Sequence, residues 1–334
     1  MDGAKLQNLH NRLILSKAHE MGITCRPLLQ GCEDFLELTY QGRSIVINKT
    51  RSHKLSLMAG LLAKNKEATN LLLQRRGLPI PPFMVISEMG EEAVRFLENQ
   101  SSVVVKPLDA SGSAGVTLDV RTRKQLGEAI RKASFYSKSM MLQQFIPGKD
   151  YRVLIINGKV AAVTEYRPAC VIGDGSASIR QLIQLLNESR IIRNDIGQME
   201  AFAEISMDSR ELTMVLDKQG VALDDLIPAG TQVELYDTQN AAANDIREIY
   251  ADRTDTICEA NKKMAIDAAE VLQIDVAGID IRCPDISLPL MQPIGAILEV
   301  NALPDMTYHV FSYQGASRDV VRLYLEYLFE EAIR

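Results

Sequence analysis

The stretch GAILEVNALP (residues 295–304) places Glu299 and Asn301 two positions apart at the end of an apolar run. Side chains along a strand alternate with a period of two, so both point to one face. Upstream, VAGIDIRCPD (276–285) sets Asp280 inside a second apolar strand, with a loop between that lets the two strands pair. Asp, Glu and Asn on neighbouring strands form an all-oxygen donor set suited to Mg²⁺ held against nucleotide phosphates. One buried carboxylate alone is ordinarily a satisfied structural group. Three oxygen donors at this spacing, downstream of a glycine-rich loop, read as a metal site.

That loop lies in VVVKPLDASGSAGV (103–116). Lys106 ends a buried strand, where an ammonium is costly without an anionic partner. The small residues that follow, Ser111, Gly112, Ser113 and Gly115, let backbone N–H groups fold over phosphate oxygens. The spacing is neither that of a P-loop nor that of a dinucleotide fingerprint. A third stretch, QQFIPGKDYR (143–152), is an apolar strand that stops at Pro-Gly and restarts at Asp150. Its backbone can line a purine slot, Asp150 can accept from ribose hydroxyls, and Arg152 on the same face can reach a phosphate or carboxylate.

The rest of the chain frames these motifs. At 334 residues, 46% hydrophobic and 24% charged, it is long enough for two or three lobes of ordinary globular composition. A net charge of −6 argues against a nucleic-acid scaffold. No apolar run approaches a membrane span, and the N-terminus lacks the apolar core and cleavage site of a signal peptide. Five scattered cysteines without a C-x-x-C pair suit reduced thiols, so a cytoplasmic location is expected.

Residues 1–60 read as a short helix-plus-hairpin piece, with the hairpin turning at Gln41-Gly42. One long helix is expected over LSLMAGLLAKNKEATNLLLQRR (55–76), then a strand FMVIS and a helix capped by Ser87. Asn157-Gly158 marks a second hairpin. Residues 190–260 are more polar and weakly periodic, whereas Met264, Ala265, Ala268, Ala269 and Leu272 form a helical stripe. Strands and helices mix without strict βαβ alternation, which favours α+β lobes around a cleft.

Taken in order, Lys66 in AKNKEATNLLLQRRGLPIPP, Lys106 in VVVKP, the small-residue loop, QQFIPGKDYR, Asp280 and the Glu299-Val300-Asn301 run resemble the ATP-grasp carboxylate–amine ligases. The resemblance covers about residues 50–325. Within that family the chain looks like the ATP-grasp domain of cyanophycin synthetase and the glutathione-synthetase module of bifunctional glutathione enzymes.

The resemblance implies an α+β ATP-grasp fold whose two lobes clasp ATP. It divides the chain into an N-terminal region (1–60), a lid lobe (61–140) and a C-terminal lobe (141–334) with an insertion at about 190–260. Lys66 and Lys106 would hold the phosphates under a lid at Ser111–Gly115. Gln143, Gln144, Phe145 and Ile146 would frame the adenine, and Asp150 the ribose. Asp280, Glu299 and Asn301 would bind two Mg²⁺, with Mn²⁺ able to replace them. Arg152, Arg167 and Arg318 are the candidates for acyl-phosphate or substrate carboxylate contacts.

Departures from the family pattern bear on the substrate. Gln143-Gln144 stand where relatives carry acidic residues. Thr238 and Asn240 of an acceptor motif remain, but Ala241-Ala242-Ala243-Asn244 replaces its Ser-Thr-Gly-Gly run. With the chain ending at Arg334, the second ligase domain of cyanophycin synthetase is expected to be absent, and single-bond formation is favoured over chain growth.

The expected reaction is amide formation through an acyl-phosphate on amino acids or short peptides, with a γ-glutamyl dipeptide ligase as the nearest alternative. A phosphotransferase and a nucleotide-binding regulator are the rival classes. Small-molecule carboxylate and amine partners are expected, with neither nucleic acid nor membrane, and family members commonly form homodimers. His309 reads as structural.

Overall fold

The computed structural model describes residues 6–110, 114–197, 201–236 and 248–330. The chain opens with α1 (Leu9–Glu20), capped by the Asn8 side chain, and a three-stranded antiparallel sheet of β1 (Thr24–Leu29), β2 (Cys32–Tyr40) and β3 (Arg43–Ile47). The run expected as one helix is two, α2 (Leu57–Lys64) and α3 (Lys66–Arg75). Asn65 between them is extended, and its side chain accepts from the Ala68 N–H to start α3 afresh. Two apolar helical stripes had masked this internal cap in the sequence.

A four-stranded antiparallel sheet follows, in the order β4 (Phe83–Ile86), β7 (Met140–Gln144), β5 (Val103–Pro107), β6 (Thr117–Val120). It is backed by α4 (Glu91–Gln100) and α5 (Arg123–Ser134), whose Ala93, Leu97, Leu126 and Ala129 pack on Val103, Val105 and Leu142. Helix α4 starts from Gly90 and not from Ser87. Helix α5 opens on a capping box between Thr122 and Gln125.

The hairpin of β8 (Lys149–Ile156) and β9 (Lys159–Pro168) turns at Asn157-Gly158, both at positive φ, as its sequence requires. Beyond it lie β10 (Cys170–Ile172), α6 (Ile179–Gly197), α7 (Arg210–Gln219) and β11 (Gln232–Glu234), with β10 and β11 paired antiparallel. Helix α7 was not apparent in the sequence. Its Ser209 cap and buried Leu212, Val215 and Leu216 sit in a polar surround that dilutes the periodicity. The chain then gives β12 (Glu248–Asp252), α8 (Glu259–Val271), β13 (Val276–Cys283), β14 (Ala296–Asn301), the short α9 (Thr307–Val310) and α10 (Val320–Leu328).

The five-stranded sheet has the order β12-β9-β8-β13-β14. Strand β13 lies between β8 and β14, antiparallel to both. The α8 stripe of Met264, Ala265, Ala268, Ala269 and Leu272 packs on Val153, Ile155, Ala277 and Ile279 beneath it. The packing divides the chain into two compact units, one made of residues up to Glu165 together with those from Ala251 onward, the other Tyr166–Tyr250. Within the larger unit, Gly148 ends the FIPG turn at φ +134°, and a Cβ there would stand 2.6 Å from the Cys283 carbonyl carbon. Gly148→Ala is expected to cost about 1–3 kcal/mol, measured as a shift in the urea midpoint at unchanged m-value.

Candidate active site

Three adjacent strands bring four of the sequence candidates together. In register, Asp280 on β13 stands opposite Arg152 on β8 and opposite Glu299 on β14. Arg152 grips Asp280 with its whole fork: Nε donates to Oδ1, and Nη2 donates to Oδ2 at 3.1 Å. Asn301 donates from Nδ2 to the same Oδ2 at 3.0 Å. Two residues along β13, Arg282 makes a second bidentate pair with Asp150, both bonds at 2.7 Å. Arg282 shares its face with Asp280 by the strand period of two and was legible from sequence by the same rule that found Asp280.

Space for the first fork comes from Gly278. A Cβ at that position would lie 3.0 Å from Arg152 Cδ and Nη1 and 3.0 Å from Pro304 Cβ. Gly278→Ala should therefore push Arg152 out of line, with a stability loss of about 1–3 kcal/mol in chemical denaturation. Above the same guanidinium lies the Tyr308 ring, 5.1 Å from centroid to Cζ.

The charge balance follows from burial. Burial pushes the Asp280 carboxyl up to about 6, with Arg152 opposing and the Glu299 carboxylate adding to the rise. Glu299, half-buried, accepts no hydrogen bond from a described residue. Lys106 comes from the four-stranded sheet, and burial pushes its ammonium down to about 8; Glu299 pulls it back up, and Lys66 pushes it down. Its Nζ donates to Gln143 Oε1 at 2.8 Å, while Gln143 Nε2 is buried with no partner among the described residues. Lys66, the first residue of α3, donates from Nζ to the Leu108 and Ala110 carbonyls at 3.1 and 2.6 Å, on the segment that leads into the small-residue loop.

The remaining candidates divide. Gln144 and Phe145 donate their backbone N–H groups to the Pro82 and Ser102 carbonyls, and Ile146 is buried. The Phe145 ring faces Arg282 at 5.9 Å. Gly115 has Pro107 and the Tyr136 ring where a Cβ would stand. Ser111, Gly112 and Ser113 lie outside the described residues, as do Thr238, Asn240 and Ala241–Asn244. Arg318 is engaged by Asp252 and Asp255, at 2.6 and 2.5 Å from its Nη2, and these carboxylates hold its guanidinium charged. Arg167 lies in the Tyr166–Tyr250 unit, 3.4 Å from Gln232 Oε1. His309 is buried beside Thr164 Oγ1 at 2.8 Å, and burial with the nearby Arg152 charge pushes it down to about 3, so it is neutral.

Among the described residues no cluster of three His, Cys, Asp or Glu side chains forms a metal site. The donor set at this row is two carboxylates and an amide oxygen, hard ligands that fit a cation such as Mg²⁺ and not a thiophilic metal.

Lys106 on the four-stranded sheet and Lys66 at the start of α3, beside the carboxylate row of the five-stranded sheet, form the arrangement of the ATP-grasp class, and the chain has this fold. Residues 76–172 match the family described as prokaryotic glutathione synthetase, ATP-grasp domain. In sequence the chain is 37% identical over 298 residues to the cyanophycin synthetase of Crocosphaera subtropica, spanning 88% of this chain and 33% of that one. It is 29% identical over 334 residues to the glutathione biosynthesis bifunctional protein GshAB of Listeria innocua, spanning 98% of this chain and 42% of that protein. A bifunctional glutathione synthetase from Pasteurella multocida shares the fold, with a TM-score of 0.72 at 24% identity over 97% of this chain and 44% of that one. The chain therefore spans less than half the length of each of these relatives. The resemblance drawn from the motifs is borne out.

Proposed function

We propose that this chain is an ATP-dependent carboxylate–amine ligase that forms an amide bond through an acyl-phosphate, acting on amino acids or short peptides. The observation that carries the reading is the Arg152–Asp280–Glu299 row across three strands, with Lys106 and Lys66 close enough to share its field.

The physical problem in such a reaction is to bring a carboxylate against a triphosphate, two anions that repel. Lys66 and Lys106 place positive charge along the phosphates, and their positions on two separate elements fix it before the substrate arrives. Asp280, Glu299 and Asn301 would hold Mg²⁺, two ions in all, or Mn²⁺ in their place. The metal would supply charge neutralisation at the transferring phosphoryl group. Arg152 offers a planar fork of donors, held in place by the Asp280 carboxylate, of the kind that suits an incoming carboxylate. The Ser111–Gly115 loop is assigned to lid closure, which keeps water from the mixed anhydride. The amine then attacks the acyl carbon, phosphate leaves, and no side-chain nucleophile is required.

A cytoplasmic location suits the five free thiols, and a homodimer is the proposed assembly. The deciding experiment is release of ADP and phosphate from Mg-ATP across a panel of amino acids and dipeptides, singly and in pairs, with mass spectrometry of the products. Release that needs a pair, with a product mass equal to the sum less water, supports the ligase. A phosphate mass gained by one compound alone would make the chain a phosphotransferase.

A further inference from the structure

We propose that the N-terminal segment is part of the active site: His10 and Thr50 are positioning residues that hold the turn 304–308 against Arg152. The inference rests on the reading of Arg152 as the group that meets the substrate carboxylate.

The turn follows directly from Asn301, and two of its backbone groups are held from the far end of the chain. Thr50 Oγ1 donates to the Pro304 carbonyl at 2.7 Å, in a fully buried contact. The Met306 N–H donates to His10 Nε2 at 3.2 Å, also buried. Between these points Asp305 turns inward and accepts from the Thr307 N–H and hydroxyl at 2.8 and 2.6 Å. Pro304 at one held point and Tyr308, two residues beyond the other, are the parts of the turn that border Arg152. Pro304 and Arg152 both border the space over Gly278, each 3.0 Å from where a Cβ would stand, and Tyr308 lies over the guanidinium.

The clamp itself is anchored. Lys54 donates to the Tyr327 carbonyl at 3.0 Å and sits over the Tyr327 ring, and Ser52 bonds Asp275 just before β13. Helix α1, which carries His10, packs on α10. Released from either point, the turn would keep its covalent link to Asn301 and the bond from Thr164 Oγ1 to the Tyr308 carbonyl at 3.2 Å, but lose the hold on Pro304 or Met306 that sets how Tyr308 meets Arg152.

His10 can serve only while neutral. Its Nε2 is an acceptor here, so the ring proton must sit on Nδ1, and a second proton on Nε2 would remove the bond to Met306. The charged groups that face it are Asp305 on the turn, which favours the second proton, and Lys49 on the segment leading to Thr50, which opposes it. Burial is the largest influence and holds the ring below the ordinary histidine range, so the acceptor survives at neutral pH and is lost only on acidification.

Three variants of the full chain test this: His10→Leu, which removes the acceptor, His10→Gln, which restores one, and Thr50→Val. Amide hydrogen exchange of residues 302–308, the thermal midpoint, the Kd for Mg-ATP and the KM for the carboxylate are measured on each. For His10→Leu the expected result is faster exchange in the turn by about tenfold or more, with Mg-ATP affinity within about twofold. The carboxylate kcat/KM should fall roughly 10- to 100-fold, with His10→Gln recovering most of it. Wild type should also lose protection of the turn as pH falls below about 6.5, and His10→Gln should not.

Unchanged exchange in the turn would overturn the clamp. A parallel fall in Mg-ATP affinity and thermal midpoint would reduce His10 to a core residue and overturn its positioning role. If no carboxylate in the panel supports turnover, that failure belongs to the ligase reading. The exchange data, with the Arg152 Nε–H resonance of the ligand-free chain shifting in His10→Leu and returning in His10→Gln, still decide the clamp.

Discussion

Arg152→Ala is expected to abolish acid-dependent ADP release and to destabilise the fold by about 3–5 kcal/mol, the usual cost of removing one partner from a buried ion pair. Both partners are nearly enclosed, with side chains 10% and 12% exposed for Arg152 and Asp280. Without the fork, Asp280 keeps only the Asn301 amide and faces the Glu299 carboxylate across the strand pair. Two carboxylates then share a low-dielectric site without the cation that gripped one of them, which favours protonation of one or loosening of the strand pair. Stability and activity separate in the double variant Arg152→Met, Asp280→Asn. Neutral partners should recover most of the denaturation midpoint, because an unpaired buried charge is what costs stability. Turnover should stay absent, because neither the fork nor the carboxylate returns. Urea unfolding and ADP release on the same preparations check both limbs. A single variant with a wild-type midpoint would show that the pair contributes nothing to the fold.

Lys106→Met is expected to act in the opposite sense on the two properties. The ammonium is held in a buried place that pushes it down to about 8, so the fold carries a strained charge for the sake of a ligand. A methionine of similar length removes that strain and leaves Gln143 Oε1 without its donor, two effects of opposite sign, so the thermal midpoint should hold or rise. Affinity for Mg-ATP should weaken by roughly 100-fold, the usual loss when one preorganised charge is deleted from a dry site.

The pH dependence follows from the same group. Phosphate favours the charged form, so the lysine in the complex titrates above the free one. Affinity should therefore be full below pH 8 and fall as pH rises through 8 toward the value in the complex, with proton uptake on binding in that window. Calorimetry in buffers of different ionisation enthalpy measures the uptake. Lys106→Met should bind with no pH dependence there, and an unchanged profile would assign the titration to another group.

Much of this arrangement is readable in the chain as written. The period of two put Glu299 and Asn301 on one face and Asp280 on a partner strand, while the register Asp280↔Glu299, beside a β-bulge at Asp280/Ile281, came from the structure. Turn chemistry was equally legible at Asn157-Gly158, because only residues tolerant of positive φ close that hairpin. The break at Asn65 and the start of α4 at Gly90 were not, since a helix end chosen by a cap or by packing need not interrupt an apolar stripe.

Local pattern, then, determined most of the elements, the hairpin at Asn157-Gly158 and which side chains share a strand face, because those depend on spacings of a few residues. Only the tertiary structure decided that Arg152 pairs with Asp280 and Arg282 with Asp150. It alone showed that Gly278 makes room for the first fork and that Arg318 is taken by Asp252 and Asp255. It also brought His10 and Thr50 from the start of the chain onto the turn that follows Asn301. Contacts between residues so far apart in sequence arise from packing that satisfies buried charge and buried backbone groups at once, and no short-range pattern encodes which distant partner will do so.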